Sequence, residues 1–169
     1  MSFCSTKTKA KRDFVREFVD AFRAEGIKIG LYYSLNDWNH PKYPAYGDHN
    51  HPRRFDETTK NEGRDLSIYI EYMHNQLREL LNNYGKIDLL WFDGSYEEMV
   101  GSAWRDFETE KLIRSIQPDI IINDRLSLNI TTSPIEETTG DYYTPECIIP
   151  VNPVKDFEGR PLLGRVCFD

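Results

Sequence analysis

The chain has 169 residues, of which 39% are hydrophobic, 29% charged and 13% aromatic, and its formal net charge at pH 7 is −7. This length suits one globular domain, and the aromatic content argues against intrinsic disorder. The acidic balance argues against a nucleic-acid partner, and no run of about 18 apolar residues is present to span a membrane.

The first half of the chain alternates between helical and strand patterns. Residues 9–25 predict a helix that stops at Gly26. Its apolar positions are Phe14, Val15, Phe18, Val19 and Phe22. Residues 27–34 are rich in Ile, Leu and Tyr, which favours a buried strand. Residues 35–62 are polar, aromatic and proline-bearing, and a loop of this length is usually functional rather than a simple connection.

The second half continues the same alternation. Residues 63–83 predict a second helix, and residues 87–93 predict a second strand that ends before Gly94. Residues 104–117 predict a third helix. Its apolar face is expected to contain Trp104, Phe107, Ile113 and Ile116. Residues 119–123 predict a third strand, and residues 162–168 have the composition of a fourth.

The order of these elements predicts an α/β fold with parallel strands. Both a (β/α)8 barrel and a doubly wound sheet show this alternation, and periodicity alone does not separate them. The segments that follow the strands are long, as in barrels, whose functional loops lie at the carboxyl ends of the strands. No G-x-G-x-x-G or G-x-x-x-x-G-K-[ST] motif follows a strand, which weakens a nucleotide-binding interpretation.

Asp93 is the most informative single position, since it is a carboxylate at the end of an apolar strand. Side chains alternate along a strand, so an Asp93 that faces the mouth of a barrel places Trp91 on the same face. An Asp before Gly94 also suits an ordinary helix cap or turn, and the pattern alone does not separate these interpretations.

Other candidate side chains lie near the predicted strand ends. Arg125 follows the third strand, and the first strand ends in Tyr32-Tyr33-Ser34, where we expect Tyr32 to face the interior. Glu146 follows a proline in a polar segment. From the pattern alone, Arg125 also suits a surface ion pair and Glu146 a solvent-exposed acid.

Two carboxylates that face an aromatic-lined pocket suit glycoside hydrolysis, with one as nucleophile or base and the other as general acid. The predicted loops and strand ends supply ring-bearing side chains for such a pocket. They are Trp38, His40, Tyr43, Tyr46, Trp91, Tyr96, Tyr142 and Tyr143. No H-x-H or H-E-x-x-H spacing is present, so we rank a metal-dependent enzyme low and expect no metal and no cofactor.

Four sequence motifs occur in a defined order along the chain. They are GLYYS (residues 30–34) with Asp37-Trp38 after it, GKIDLLWFDG (85–94), INDR (122–125) and DYYTPE (141–146). Together they resemble the α-L-fucosidases of glycoside hydrolase family 29, over about residues 11–150. Residues 1–9 show no such resemblance.

The resemblance implies a (β/α)8-like catalytic barrel, often followed by a β-sandwich domain, that hydrolyses α-L-fucosides with retention of configuration. By resemblance, Asp93 matches the nucleophile and Glu146 the general acid/base. Glu136 and Glu137 are rival acids, because the intervening loop can fold back. The matches to the fucose pocket are Trp91, Arg125, one of Tyr32 and Tyr33, and His40. The implied substrate is a fucosylated oligosaccharide or glycoconjugate.

The chain also departs from the family pattern. The family has two adjacent histidines that bind fucose before the segment seen here, whereas the four histidines of this chain are His40, His49, His51 and His74. We therefore expect residues 1–169 to form one partial catalytic barrel domain of three to four βα units, incomplete at both ends. Such a partial barrel exposes strand edges and core, so the chain alone should be poorly stable and inactive.

Two alternatives remain open on the sequence alone. Another retaining barrel glycosidase, such as a galactosidase, would share the carboxylate pair and the aromatic pocket. A non-catalytic, truncated carbohydrate-binding relative would bind sugar without turning it over. The first residues show no signal-peptide pattern, and the sequence predicts no compartment.

Overall fold

The computed structural model describes residues 4–45, 50–56, 62–95, 99–127, 139–142 and 144. In chain order its main elements are helix α1 (Phe14–Ala24), strand β1 (Gly30–Ser34), helix α2 (Leu66–Asn83), strand β2 (Leu89–Asp93), helix α3 (Asp106–Ile116) and strand β3 (Ile121–Ile122). Short 3-10 turns at Gly101–Trp104 and Asp124–Leu126 flank α3 and β3. Within these ranges, no helix has the length and apolar character of a membrane span.

The three strands form a parallel sheet in the order β1-β2-β3. In register, Gly30 lies opposite Leu89, and Leu89 lies opposite Ile121. The predicted α/β fold with parallel strands is therefore confirmed. An isolated parallel bridge joins Asn123 to Tyr142 beyond β3, whereas the proposed fourth strand at 162–168 lies outside the described residues.

One face of the sheet packs against the helices, and the other face is open. Tyr33, Leu90, Phe92 and Ile122 join a single core with residues of all three helices. The opposite face is exposed or half-buried and carries Tyr32, Ser34, Leu89, Trp91, Asp93 and Ile121. A doubly wound sheet carries helices on both faces, so the one-sided packing seen in the described residues differs from that arrangement.

Aspartate caps set the starts of the first two helices. The Asp13 carboxylate accepts from the backbone N–H of Arg16 at 3.0 Å, and the Asp65 carboxylate accepts from that of Ser67 at 2.9 Å. These bonds satisfy donors that the first helical turn leaves unpaired. Helices α1 and α2 therefore begin a few residues later than the apolar spacing predicts.

Helix α1 turns its valines, rather than its phenylalanines, toward the core. Val19 is fully buried, whereas Phe14, Phe18 and Phe22 remain 49%, 38% and 41% exposed. Successive helical residues are about 100° apart, so the line through Val15 and Val19 is rotated from the line through Phe14 and Phe18. The predicted apolar stripe is thus only partly used in the described structure.

The start of the third helix differs from the prediction. Trp104 lies in a 3-10 turn, and Arg105 follows with a positive φ of 48° before α3 begins at Asp106. Within α3, Phe107 lies six residues before Ile113, so the two side chains point about 120° apart around the helix, and Phe107 is 63% exposed. Trp104 is still buried, and its indole N–H donates to the Met99 carbonyl at 2.6 Å.

Candidate active site

Asp93 ends strand β2 at a turn that requires glycine. Gly94 has a φ of +99°, and a Cβ at this position would lie 2.8 Å from Oδ1 of Asn36. The Gly94 N–H donates to Oδ1 of Asp93 at 2.9 Å. The Asp93 side chain is 26% exposed and lies on the open face of the sheet. Asp93 therefore takes part in a turn, as the Asp-Gly pair suggests, and presents its carboxylate to the open face.

Two side chains from neighbouring elements bind the Asp93 carboxylate. The Tyr32 hydroxyl donates to Oδ2 at 2.9 Å, and Nη1 of Arg125 donates to Oδ1 at 3.2 Å. The contacts reach the carboxylate from strand β1 and from the 3-10 turn after β3. Together with the Gly94 N–H, they fix the orientation of both carboxylate oxygens.

The position of Arg125 depends on Asn123. The Asn123 side chain accepts from the Phe92 N–H at 2.8 Å and donates to the Phe92 carbonyl at 2.9 Å. This pairing continues the contact between β2 and β3 with a side chain in place of backbone. The chain can then turn at Asp124–Leu126, which carries the buried Arg125 guanidinium over the end of β2.

The two adjacent tyrosines of β1 point in opposite directions, as side chains on a strand do. Tyr32 faces Asp93, whereas the Tyr33 hydroxyl donates to Oε1 of Gln76 in helix α2 at 2.6 Å. Burial raises the pKa of Tyr33. Of the two tyrosines, only Tyr32 contacts the carboxylate in the described structure.

An aromatic pair lies next to Asp93 on the open face. The ring of Trp91 meets that of Tyr142 edge-on, with 6.1 Å between centroids and 61° between planes. Tyr142 is held beside β3 because the adjacent Asp141 pairs with Ile122, accepting from its N–H at 2.8 Å and donating to its carbonyl at 2.7 Å. The DYYTPE motif thus begins beside the INDR motif.

His40 lies against helix α2. Its ring stacks on Tyr72, with 4.4 Å between centroids, and meets Tyr69 edge-on at 5.1 Å. Its Nδ1 accepts from the Lys42 N–H at 3.2 Å, and burial lowers the pKa of the imidazole. The structure therefore packs the His40 ring against the tyrosines of helix α2. Among the described residues, His40 is not one of those that line the pocket beside Asp93.

A pocket of about 560 Å³ opens beside Asp93, mostly within the loop after β1. Its lining comprises Tyr32, Ser34, Asn36, Asp37, Trp38, Asn39, Asn50, Asp93 and Gly94. Amides, two hydroxyls, carboxylates and the half-exposed Trp38 ring provide the mixture of polar and aromatic groups that polyhydroxylated ligands use. The asparagines were not singled out from the sequence, because scattered Asn in a polar loop gives no periodic signal.

Glu146, Glu136 and Glu137 all lie outside the described residues. Along the sequence, the described residue nearest to Glu146 is Thr144, which is buried and hydrogen-bonded to both Asp124 and Arg125. Sequence reasoning did not single out Thr144 or Asp124, although both fall inside the quoted motifs.

One group of possible metal ligands lies away from Asp93, between helices α2 and α3. Ligand atoms of Glu71, His74 and Glu108 lie within 4.8 Å of one another. Arg105 donates to Glu71 at 3.0 Å and approaches Glu108 at 4.0 Å, while Nε2 of His74 is hydrogen-bonded to Thr109 at 2.8 Å. Arg105 therefore already supplies positive charge to this group.

Comparisons with known proteins agree on one family. The family model described as alpha-L-fucosidase matches residues 1–158, a range that includes residues 1–9. Rat tissue alpha-L-fucosidase is 30% identical over 138 residues. This alignment covers 80% of the chain and 26% of the rat protein.

Two solved structures show the same similarity. Alpha-L-fucosidase isoenzyme 1 from Paenibacillus thiaminolyticus matches with a TM-score of 0.85 and 46% identity, covering 99% of this chain and 40% of that one. A family 29 alpha-L-fucosidase from Bacteroides thetaiotaomicron, trapped as a covalent intermediate with 2-fluoro-fucosyl fluoride, matches with a TM-score of 0.74 and 25% identity, covering 99% of this chain and 37% of that one. The chain spans about a quarter of the length of the curated relatives that it matches.

Proposed function

Because the chain belongs to the α-L-fucosidase family, we propose that the complete protein releases α-L-fucose from fucosylated glycans and that this chain forms part of its (β/α)8 barrel. The one-sided packing of the helices supports the barrel, whose helices form an outer ring around the strands. The open face of the sheet, with Asp93 at a strand end, would then face the barrel interior. Active sites of such barrels lie at the carboxyl ends of the strands.

Asp93 is the nucleophile in this proposal. An oxygen of its carboxylate attacks the anomeric carbon of fucose as the bond to the leaving oxygen breaks, which forms a covalent fucosyl-enzyme. Water then cleaves this ester with a second inversion, so configuration is retained overall. The trapped covalent intermediate of the Bacteroides relative supports this route.

Glu146 is the general acid/base in this proposal, on the strength of its motif. It donates a proton to the leaving oxygen in the first step and takes one from the attacking water in the second. Retention requires the two carboxyl groups to be about 5–5.5 Å apart. Glu136 and Glu137 remain the competing assignments.

The residues around Asp93 have complementary roles. Arg125 and Tyr32 hold the carboxylate in one orientation, which favours attack along one line. Trp91 and Tyr142 offer ring faces and edges to the sugar, and the polar loop pocket offers hydrogen-bond partners to hydroxyl groups. His40 was also matched to the fucose pocket, and any part it plays there would require contact beyond its packing on Tyr72.

The 169-residue chain alone is inactive in this proposal. In the described structure Tyr32 is 63% exposed and Ile121 is 47% exposed, although both lie on the face proposed as the barrel interior. Within the described residues, a substrate bound there would contact the open face of the sheet and the loop after β1, and its remaining sides would face water. Exclusion of water and positioning on several sides are what such a site needs for catalysis.

The observation that carries the proposal is the Asp93 carboxylate, held at the end of β2 by Tyr32 and Arg125 in a chain of this family. The test is hydrolysis of aryl α-L-fucosides and aryl galactosides by the complete gene product, with Asp93→Asn as the matched variant. We expect fucoside turnover that is lost in Asp93→Asn. Preference for galactosides would favour the other glycosidase, and sugar binding without turnover would favour a non-catalytic relative.

A further inference from the structure

The residues behind Arg125 form a buried network that the chemistry above does not use. We propose that Thr144 and Asp124 are positioning residues that hold the Arg125 guanidinium against the Asp93 carboxylate. This inference rests on the proposed function. It concerns residues that do not touch the substrate and that act through Arg125.

Thr144 binds Arg125 at two points. Nε of Arg125 donates to Oγ1 of Thr144 at 2.9 Å, and Nη2 donates to the Thr144 carbonyl at 3.1 Å. Nη1 of the same guanidinium reaches Oδ1 of Asp93 at 3.2 Å. Because the guanidinium is planar and rigid, two contacts on one side fix where its third nitrogen points.

Asp124 in turn fixes Thr144. Its Oδ1 accepts from the Thr144 N–H at 3.1 Å and from the Thr144 hydroxyl at 2.6 Å. The hydroxyl proton is thus directed to Asp124, which leaves an oxygen lone pair for Nε of Arg125. Thr144 is fully buried and Asp124 is 4% exposed, so water does not readily replace these partners.

The network also joins two segments that are distant in the sequence, the turn after β3 and the segment around Thr144. Asp124 and Arg125 lie in the turn after β3, whereas Thr144 lies 19 residues further along the chain from Arg125. Only Pro145 separates Thr144 from Glu146 in the sequence. One buried hydroxyl therefore links the arginine at the nucleophile to the segment that carries the proposed acid.

The test compares Thr144→Val with Thr144→Ser in the complete gene product, using an aryl α-L-fucoside. Val keeps the shape and removes the hydroxyl, while Ser keeps the hydroxyl. We expect Thr144→Val to lower kcat/KM by about tenfold to a hundredfold, which is the scale of a small misplacement of catalytic groups. Thr144→Ser should stay within about threefold of the wild type, because its hydroxyl can make both contacts.

A double-mutant cycle separates positioning from general structural support. In an Arg125→Met background, Thr144→Val should have little further effect, since the hydroxyl then has no guanidinium to place. Equal losses with and without Arg125 would overturn the inference, as would wild-type activity in Thr144→Val.

If Thr144→Val does not fold, Asp124→Asn replaces it in the same cycle, with the same outcomes. An inactive wild-type protein would overturn the proposed function and this inference together, whereas an active wild type with an unaffected Thr144→Val would overturn the inference alone.

Discussion

The hydroxyl of Tyr32 donates a hydrogen bond of 2.9 Å to Oδ2 of Asp93 across two neighbouring parallel strands. The register pairs Tyr32 with Trp91 and Ser34 with Asp93, so this bond runs diagonally along the open face. Strand β1 therefore helps to set the orientation of a carboxylate on β2. Arg125 contacts the other oxygen, and the two residues hold the carboxylate from opposite sides of β2 in the sheet order.

Loss of the Tyr32 hydroxyl should impair turnover more than folding. Tyr32→Phe is expected to lower kcat/KM on an aryl α-L-fucoside by roughly tenfold, because a hydrogen bond to a charged group contributes about 1.5–3 kcal/mol and this one is partly exposed to water. The matched control is Tyr33→Phe, which removes the bond to Gln76 on the helix side. The control should lower the melting temperature and leave kcat/KM nearly unchanged. Similar kcat/KM losses in both variants would contradict the assignment.

The acid/base assignment can be tested by chemical rescue. Glu146→Ala should lose activity on fucosides with poor leaving groups. On activated aryl fucosides, which need no proton donor, added azide should restore turnover by attacking the fucosyl-enzyme. The rates are measured with and without azide.

Glu136→Ala and Glu137→Ala provide matched controls for this experiment. Both should retain most of their activity and show no dependence on azide. Azide rescue in either control, with none in Glu146→Ala, would transfer the acid/base role to that residue.

Gly94 should tolerate no side chain. Gly94→Ala combines a φ of +99° with a Cβ only 2.8 Å from Oδ1 of Asn36, so we expect a loss of about 2 kcal/mol or more in the free energy of unfolding. Gly63→Ala is the control, because Gly63 also has a positive φ, of +64°, but nothing within 4 Å of its Cβ. Gly63→Ala should lower the free energy of unfolding by about 1 kcal/mol. Denaturant unfolding of both variants measures the difference, and equal costs would show that the contact with Asn36 contributes nothing.

His74 should make stability depend on pH. Burial lowers the pKa of His74 from its usual 6.5, so the folded protein favours the neutral imidazole, whereas the unfolded chain takes up a proton near pH 6.5. The stabilisation of the folded state by neutral His74 is fully present above pH 6.5. It is lost as the pH falls through 6.5 toward the pKa that His74 has in the folded protein. His74→Gln should therefore lose less melting temperature than the wild type when the pH falls from about 7.5 to about 5. An identical pH dependence in the two proteins would contradict this role.

The sequence was informative where a periodic pattern or a motif sets the structure. Alternating apolar segments predicted parallel strands, and the helix predicted over residues 63–83 forms at Leu66–Asn83, with Met73 and Leu77 among its buried residues. Strand alternation predicted that Tyr32 and Tyr33 face opposite sides, and the structure places Tyr32 at Asp93 and Tyr33 at Gln76. These features depend on local geometry, which the order of residues fixes directly.

The remaining features depend on contacts that no local pattern encodes. The positive φ of Arg105 separates the 3-10 turn at Trp104 from α3, and a positive φ at an arginine has no sequence signal. Thr144 meets Arg125 only because the chain returns alongside β3, with Asp141 pairing with Ile122. The exposed phenylalanines of α1 likewise cannot be distinguished from core residues by spacing alone, since both kinds of position are apolar.

The role of Asp93 as the nucleophile is tested most directly by trapping the covalent intermediate on the complete gene product with 2-fluoro-fucosyl fluoride. Mass spectrometry of the intact protein and of its proteolytic peptides would locate the fluorofucosyl group. We expect one fluorofucosyl group per chain, on the peptide that contains Asp93, and none on Asp93→Asn. Labelling of a different carboxylate while Asp93 stays unmodified would contradict this role.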